Sequence, residues 1–290
     1  MYDTLHITLK HVDTDFVSLF DYDNGLNWSH GVSEQGFEYK VAYHKNFRIR
    51  VNVSTIKIQG SLAKYYLGTN IHTLRFEDIE PAIKQLGNEL NLPIQRGELN
   101  RIDFSTVFIV KHPPSTYYSK LSFHNTMRER TLIGNSLYFE NNSRQMVFYD
   151  KIKELENKSI PIPKEYVGKN ALRYEIRFTG NLKRAFGQVV RVADLYDKTF
   201  FKDLYKRYKQ MYKEIIKTNL ASRNYSNTRD YGERLKARDI EREGIHKCIE
   251  EINSSTILKK DRTRAMVKNI NKRGTTHPLI KELNKKILYL

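Results

Sequence analysis

Leu137-Tyr-Phe-Glu-Asn-Asn-Ser-Arg-Gln-Met-Val-Phe-Tyr-Asp-Lys-Ile-Lys-Glu-Leu-Glu156 holds two short apolar arms around Asn141-Asn142-Ser143, a turn-forming trio, and reads as a β-hairpin. The second arm is apolar from Met146 to Phe148 and then changes into alternating charges, with Tyr149 at the junction. Asp150, Lys151, Lys153, Glu154 and Glu156 stand at spacings that predict a short helix. A buried strand thus delivers a phenol to a polar rim. In a chain with 19 tyrosines, the ordinary meaning is a core tyrosine with a wet hydroxyl.

Outward from the hairpin, two further strands carry a carboxylate in mid-strand. In Leu99-Asn-Arg-Ile-Asp-Phe-Ser-Thr-Val-Phe108 a period of two puts Arg101, Asp103 and Ser105 on one face. In Ala171-Leu-Arg-Tyr-Glu-Ile-Arg-Phe178 the same period puts Arg173, Glu175 and Arg177 on one face. Two meanings stay open at this point. Asp103 and Glu175 are ion-paired on a solvated sheet face, or they converge on a hard divalent cation that polarises a phosphodiester.

Earlier in the chain, strands are expected over Thr4–Lys10, Phe37–Tyr43, Phe47–Val53 and Thr55–Gly60, with a loop over Asp13–Ser33. Ser61 and Gly68 read as the cap and stop of a short helix, and a longer helix is expected from Phe76 to Leu90. A short helix is expected over Tyr117–His124. From Asn181 the pattern is helical: Leu195–Leu220 is the longest helix, Ala221–Gly232 a linker, and Leu235–Ile252, Lys260–Lys272 and His277–Leu288 are basic helices. The expected fold is α+β, with a domain over residues 1–195 and a basic helical, DNA-binding region over 196–290.

Composition names a partner class. The formal charge is +17, and from Lys198 onward 24 Lys and Arg face 11 Asp and Glu. Such an excess fits a polyanion, with nucleic acid ahead of an acidic membrane surface. One cysteine, Cys248, excludes an internal disulfide and a cysteine-built zinc site. The first ten residues do not resemble a signal peptide, and no apolar run approaches the ~18 residues of a membrane span. The expected location is the cytoplasm.

Four ordered blocks give the chain a resemblance: Ile58-Gln-Gly-Ser-Leu-Ala-Lys64 with Gly68 and Asn70, Arg101-Ile-Asp103, Val147-Phe-Tyr-Asp-Lys151 with Glu154, and Leu172-Arg-Tyr-Glu-Ile-Arg177. Together they resemble rolling-circle replication initiators of the filamentous-phage gene II type and, more loosely, staphylococcal plasmid initiators. The resemblance implies an antiparallel sheet flanked by helices, related to HUH nucleases, and a bacterial host. It implies that Tyr149 attacks one strand at a replication origin, stays joined to the 5′ phosphate and leaves a 3′ hydroxyl. It makes Asp103 and Glu175, with Glu154 as a third, the ligands of Mg2+ or Mn2+. The sequence departs from the wider HUH class in having no His-hydrophobic-His triplet; His6 is the nearest sheet-face histidine.

Lys151 then has two readings, as a phosphate holder beside the nucleophile or as a solvated helix charge. Arg101, Arg173 and Arg177 either orient DNA phosphates or neutralise the carboxylates. Lys64 follows Gly60-Ser61, but the spacing of a phosphate-binding loop is absent; it is a candidate DNA contact. The expected partners are origin DNA, single-stranded or as supercoiled duplex, with a host helicase and polymerase, the chain acting as a monomer or homodimer. The rival reading is a DNA-binding replication-control protein with no turnover.

Overall fold

The computed structural model describes residues 1–10, 21–127, 129–221, 231–256 and 259–289. Strand β1 (Tyr2–Lys10) buries Leu5, Ile7 and Leu9, as its alternation predicts. Of the loop expected over 13–33, residues 11–20 lie outside the described residues, and its end is a short strand instead, β2 (Ser29–Val32). Gly31 there carries the ring of Tyr39, which a Cβ would meet at 2.7 Å. β3 (Glu38–His44) and β4 (Phe47–Val51) form the expected hairpin, with Lys45 left-handed at φ 52°. β5 (Thr55–Ser61) runs into α1 (Leu62–Leu67), where Ser61 Oγ accepts from the Lys64 N–H and Gly68 ends the helix at φ 74°.

The helix expected from Phe76 divides into a 3-10 turn, Phe76–Asp78, and α2 (Ile79–Leu90). Pro81 thereby falls in the first helical turn, where no backbone donor is needed. After β6 (Glu98–Val110) the chain departs from expectation. α3 (Pro114–Tyr118) starts at the proline and β7 (Leu121–His124) is extended, in place of one helix over 117–124. β8 (Glu129–Ile133), β9 (Ser136–Asn141), β10 (Arg144–Asp150), α4 (Lys151–Asn157), β11 (Asn170–Phe178) and α5 (Leu182–Phe186) follow.

α6 (Lys198–Lys213) begins where Asp197 Oδ1 accepts from the Phe200 N–H at 2.7 Å. It stops well before Leu220. Ile215-Ile216-Lys217 is extended as β12, paired antiparallel with β7, and Asn219–Leu220 forms β13. The β-branched pair suits a strand, and the Lys217 ammonium takes the carbonyls of Tyr212 and Ile215 at 2.7 and 2.8 Å, closing the helix end. Most of the expected linker, 222–230, lies outside the described residues. One expected helix is two, α7 (Tyr231–Glu243) and α8 (Ile245–Ser254), broken at Gly244 with φ 91°. α9 (Lys260–Arg273), β14 (Thr275–Thr276), which pairs with β13, and α10 (Pro278–Leu288) complete the chain.

The chain forms two compact units. The first comprises residues 1–107, 142–146 and 174–208. Its strands run in the order β2-β3-β4-β5-β1-β6-β11-β10. Tyr2, Phe104, Tyr174, Phe201 and Tyr208 pack edge-on or tilted on the inner side, with ring centroids 4.5–5.9 Å apart, so the first part of α6 covers that face. The second unit comprises 108–141, 147–173 and 209–290. It holds β8 paired with β9, the short pairs β7–β12 and β13–β14, and helices α7 to α10. Mixed helix and antiparallel sheet make the fold α+β, as expected.

Candidate active site

Ile102 and Phe104 are fully buried toward the aromatic core, so the alternation of β6 sends Arg101 and Asp103 to the outer face. Two residues apart on a strand, the longer side chain reaches back over the shorter. Arg101 Nε donates to Asp103 Oδ1 at 2.8 Å and Nη2 to Oδ2 at 2.7 Å. β11 repeats the device: Arg177 Nε donates to Glu175 Oε1 at 2.5 Å and lies 4.0 Å from Asp103 Oδ2. Its Nη1 donates to Gln145 Oε1 at 2.8 Å. The first unit therefore brings Arg101, Asp103, Glu175 and Arg177 together. Arg101 and Arg177 pair with the carboxylates, the second of the two roles the sequence allowed.

The expectation of a solvated sheet face is corrected here. Asp103 is 1% and Glu175 3% exposed. Burial pushes the Asp103 carboxyl up to about 6. The Arg101 hydrogen bonds pull it down, the Glu175 charge pushes it up, and the charges of Arg101 and Arg177 do not restore the ordinary value. The Asp103 anion is thus under-compensated despite its two arginine neighbours. His6 is the cross-strand partner of Arg101, and burial, with the Arg101 charge second, lowers its pKa to about 4. Its imidazole is neutral near pH 7.

The second unit holds Tyr149, Lys151, Glu154 and Arg173. Tyr149 ends the apolar part of β10 half-buried, with the buried Arg173 guanidinium 5.9 Å from its ring centroid. Asp150 caps α4, its carboxylate accepting from the Ile152 and Lys153 N–H groups at 3.0 and 3.1 Å. Lys151 is fully buried and donates to Glu154 Oε2 at 2.5 Å; Lys158 donates to the other oxygen. Burial raises the Glu154 pKa, but the two lysines outweigh it and hold the carboxyl below its usual range. The solvated-charge reading of Lys151 therefore fails.

The expected block around Ser61 has a local task. Asp3 is buried and accepts from Ser61 Oγ and, at 3.4 Å, from Asn70 Nδ2. Ser61, Gly68 and Asn70 fix α1 against β1, and Lys64 stands exposed on that helix. Sequence reasoning passed over Asp3. Its signal was a carboxylate in the same phase of β1 as the apolar Leu5, Ile7 and Leu9. Tyr174 is a core residue, as the pattern implied, with its hydroxyl donating to Tyr208 O at 3.2 Å.

Among the described residues no three His, Cys, Asp or Glu side chains gather as a metal shell. Two adjacent carboxylates suit Mg2+, which keeps several waters and takes phosphate oxygens rather than a full protein cage. No helix of the described residues is long and apolar enough to cross a membrane. A family model described as the N-terminal region of the phage replication-associated gene II protein matches residues 1–199. No curated protein matches the chain.

Proposed function

The chain belongs to the family of the phage replication-associated gene II protein, N-terminal region, whose members are rolling-circle replication initiators, and on that premise we propose that it nicks and rejoins one DNA strand at an origin through a tyrosyl intermediate. The observation that carries the reading is the buried pair of carboxylates, Asp103 and Glu175, that share Arg177. A buried anion driven up to about 6 gains from a divalent cation more than an ordinary surface carboxylate does. Asp103 and Glu175 would hold Mg2+ or Mn2+. When bound, the ion supplies Lewis-acid polarisation of the phosphodiester and stabilises charge on its oxygens.

Tyr149 is the nucleophile. Its phenol oxygen forms the bond to phosphorus as the bond from phosphorus to the 3′ oxygen breaks. The phenol loses its proton and the departing 3′ oxygen gains one, leaving a 5′ phosphotyrosyl link and a 3′ hydroxyl. Attack by a 3′ hydroxyl on that link reverses the step and rejoins a strand. The Arg173 cation stands 5.9 Å from the Tyr149 ring centroid, and Lys151, buried on Glu154, is assigned to holding the start of α4 directly after the nucleophile. Arg101 and Arg177 hold the carboxylates in place.

Supercoiled origin plasmid incubated with Mg2+ or Mn2+ tests this. Nicked circles form with the wild type and fall at least about 100-fold with Asp103→Ala or Glu175→Ala, while DNA binding persists. Equal binding without nicking in the wild type at every metal concentration would instead establish a replication-control protein with no turnover.

A further inference from the structure

Beyond the matched residues, α7, α8 and α9 each touch the other two. Ile240 of α7, Ile249 and Ile252 of α8, and Val267 and Ile270 of α9 share one core. On α9 the buried side is completed by Asn271, whose amide donates to Lys217 O at 2.9 Å and whose oxygen accepts from the Asn219 N–H at 2.8 Å. These bonds fix the helix about its own axis.

The opposite side of α9 is exposed at Asp261, Arg262, Ala265, Lys268, Asn269, Lys272 and Arg273, with Asp261 in the first turn paired to Arg264. At about 100° per residue, Ala265 and Asn269 run along its middle, Lys268 and Lys272 along one flank, and Arg262 and Arg273 along the other. Arg262, Lys268 and Lys272 form no ion pair among the described residues. Beside the lysine flank lies a cavity of about 420 Å³, lined by Lys213, Lys268 and Lys272 among others, with no Asp or Glu in its lining.

We propose that α9 enters the major groove of duplex DNA. Arg262, Ala265 and Asn269 meet base edges, and Lys213, Lys268 and Lys272 hold one phosphate backbone. The charge pattern favours duplex because Lys268 and Lys272 on one side and Arg262 and Arg273 on the other flank the central line of Ala265 and Asn269, while Asp261, in the first turn, is paired with Arg264. That line has the chemistry of base readout: an asparagine amide pairs with adenine and an alanine methyl packs on thymine. Phosphate contacts on the flanks set the register. The inference rests on the origin-directed reading for its biological purpose, but binding alone tests it, so failed cleavage and failed duplex recognition are separable.

The full chain is incubated with a duplex pool of randomised central sequence, and bound molecules are sequenced. The wild type enriches a sequence. Asn269→Ala loses that enrichment and binds bulk duplex within about twofold of the wild type. Lys268→Glu/Lys272→Glu, which unfolds at the wild-type temperature, weakens every duplex at least about tenfold and reduces the salt slope of affinity by about two. No enrichment by the wild type, or wild-type duplex affinity in the double variant, overturns the proposal. So does equal loss of duplex and single-strand affinity in that variant.

Discussion

The Arg101 guanidinium grips the Asp103 carboxylate through two hydrogen bonds, Nε to Oδ1 at 2.8 Å and Nη2 to Oδ2 at 2.7 Å. A carboxylate has about four lone-pair sites, so this fork leaves Asp103 able to accept from one further side. Arg101 also opposes the rise that burial imposes on the Asp103 pKa. Removing the guanidinium therefore makes Asp103 harder to ionise. Arg101→Ala is expected to shift the acid limb of the nicking rate upward from near 6 by about one unit. Single-turnover cleavage across pH reads the shift; an unmoved limb would detach Asp103 from the pH dependence.

The same burial sets a stability trend. The folded pKa of Asp103, about 6, lies above the ordinary value of 3.8, so its contribution is fully present below about 4 and is lost as pH rises through 6. Without metal, the wild type should lose about 2 kcal/mol relative to Asp103→Asn between those limits. Denaturant titrations at pH 4 and 7 compare the two chains, and Mg2+ at pH 7 should recover part of the loss. A pH-independent difference would mean that Asp103 is ionised throughout.

Lys151 is fully buried with its ammonium on Glu154. Lys151→Met keeps most of the stem volume and leaves Glu154 with Lys158. It should cost about 1–2 kcal/mol of stability yet slow single-turnover cleavage at least about tenfold. A rate that falls only with the folded fraction would confine Lys151 to packing.

Ser61 is assigned to architecture. Ser61→Ala removes the α1 cap and a hydrogen bond to the buried Asp3. A loss of about 1–2 kcal/mol is expected, with cleavage per folded molecule unchanged. A specific loss of cleavage would move this part of the chain into the catalytic machinery.

Local signals carried the hairpin from β9 to β10, the Asp150 cap and the Ser61–Gly68 helix, because each is decided by residues within a few positions of one another. The pairing of Arg101 with Asp103 and of Glu175 with Arg177 was equally legible, since a period of two fixes shared faces. Their burial was not, because it depends on neighbouring strands far away in sequence. The end of α6 shows the same limit. The helical stripe continues through Ile215 and Ile216, but pairing of that segment with β7, about 90 residues earlier, overrides the local preference. Lys151 fits neither of its two readings from sequence unaided, as charges at helical spacing predict a wet face only when no partner waits inside, and its ammonium is buried on Glu154.

The proposed chemistry stands or falls on Tyr149 forming the covalent link to DNA. That link is read most directly by trapping the protein on a 5′-extended origin oligonucleotide with Mg2+ or Mn2+, denaturing it in SDS, digesting it and locating the nucleotide-bearing peptide by mass spectrometry. An adduct is expected on the peptide containing Tyr149, and none from Tyr149→Phe. An adduct on any other tyrosine, or one that persists in Tyr149→Phe, would contradict the assignment.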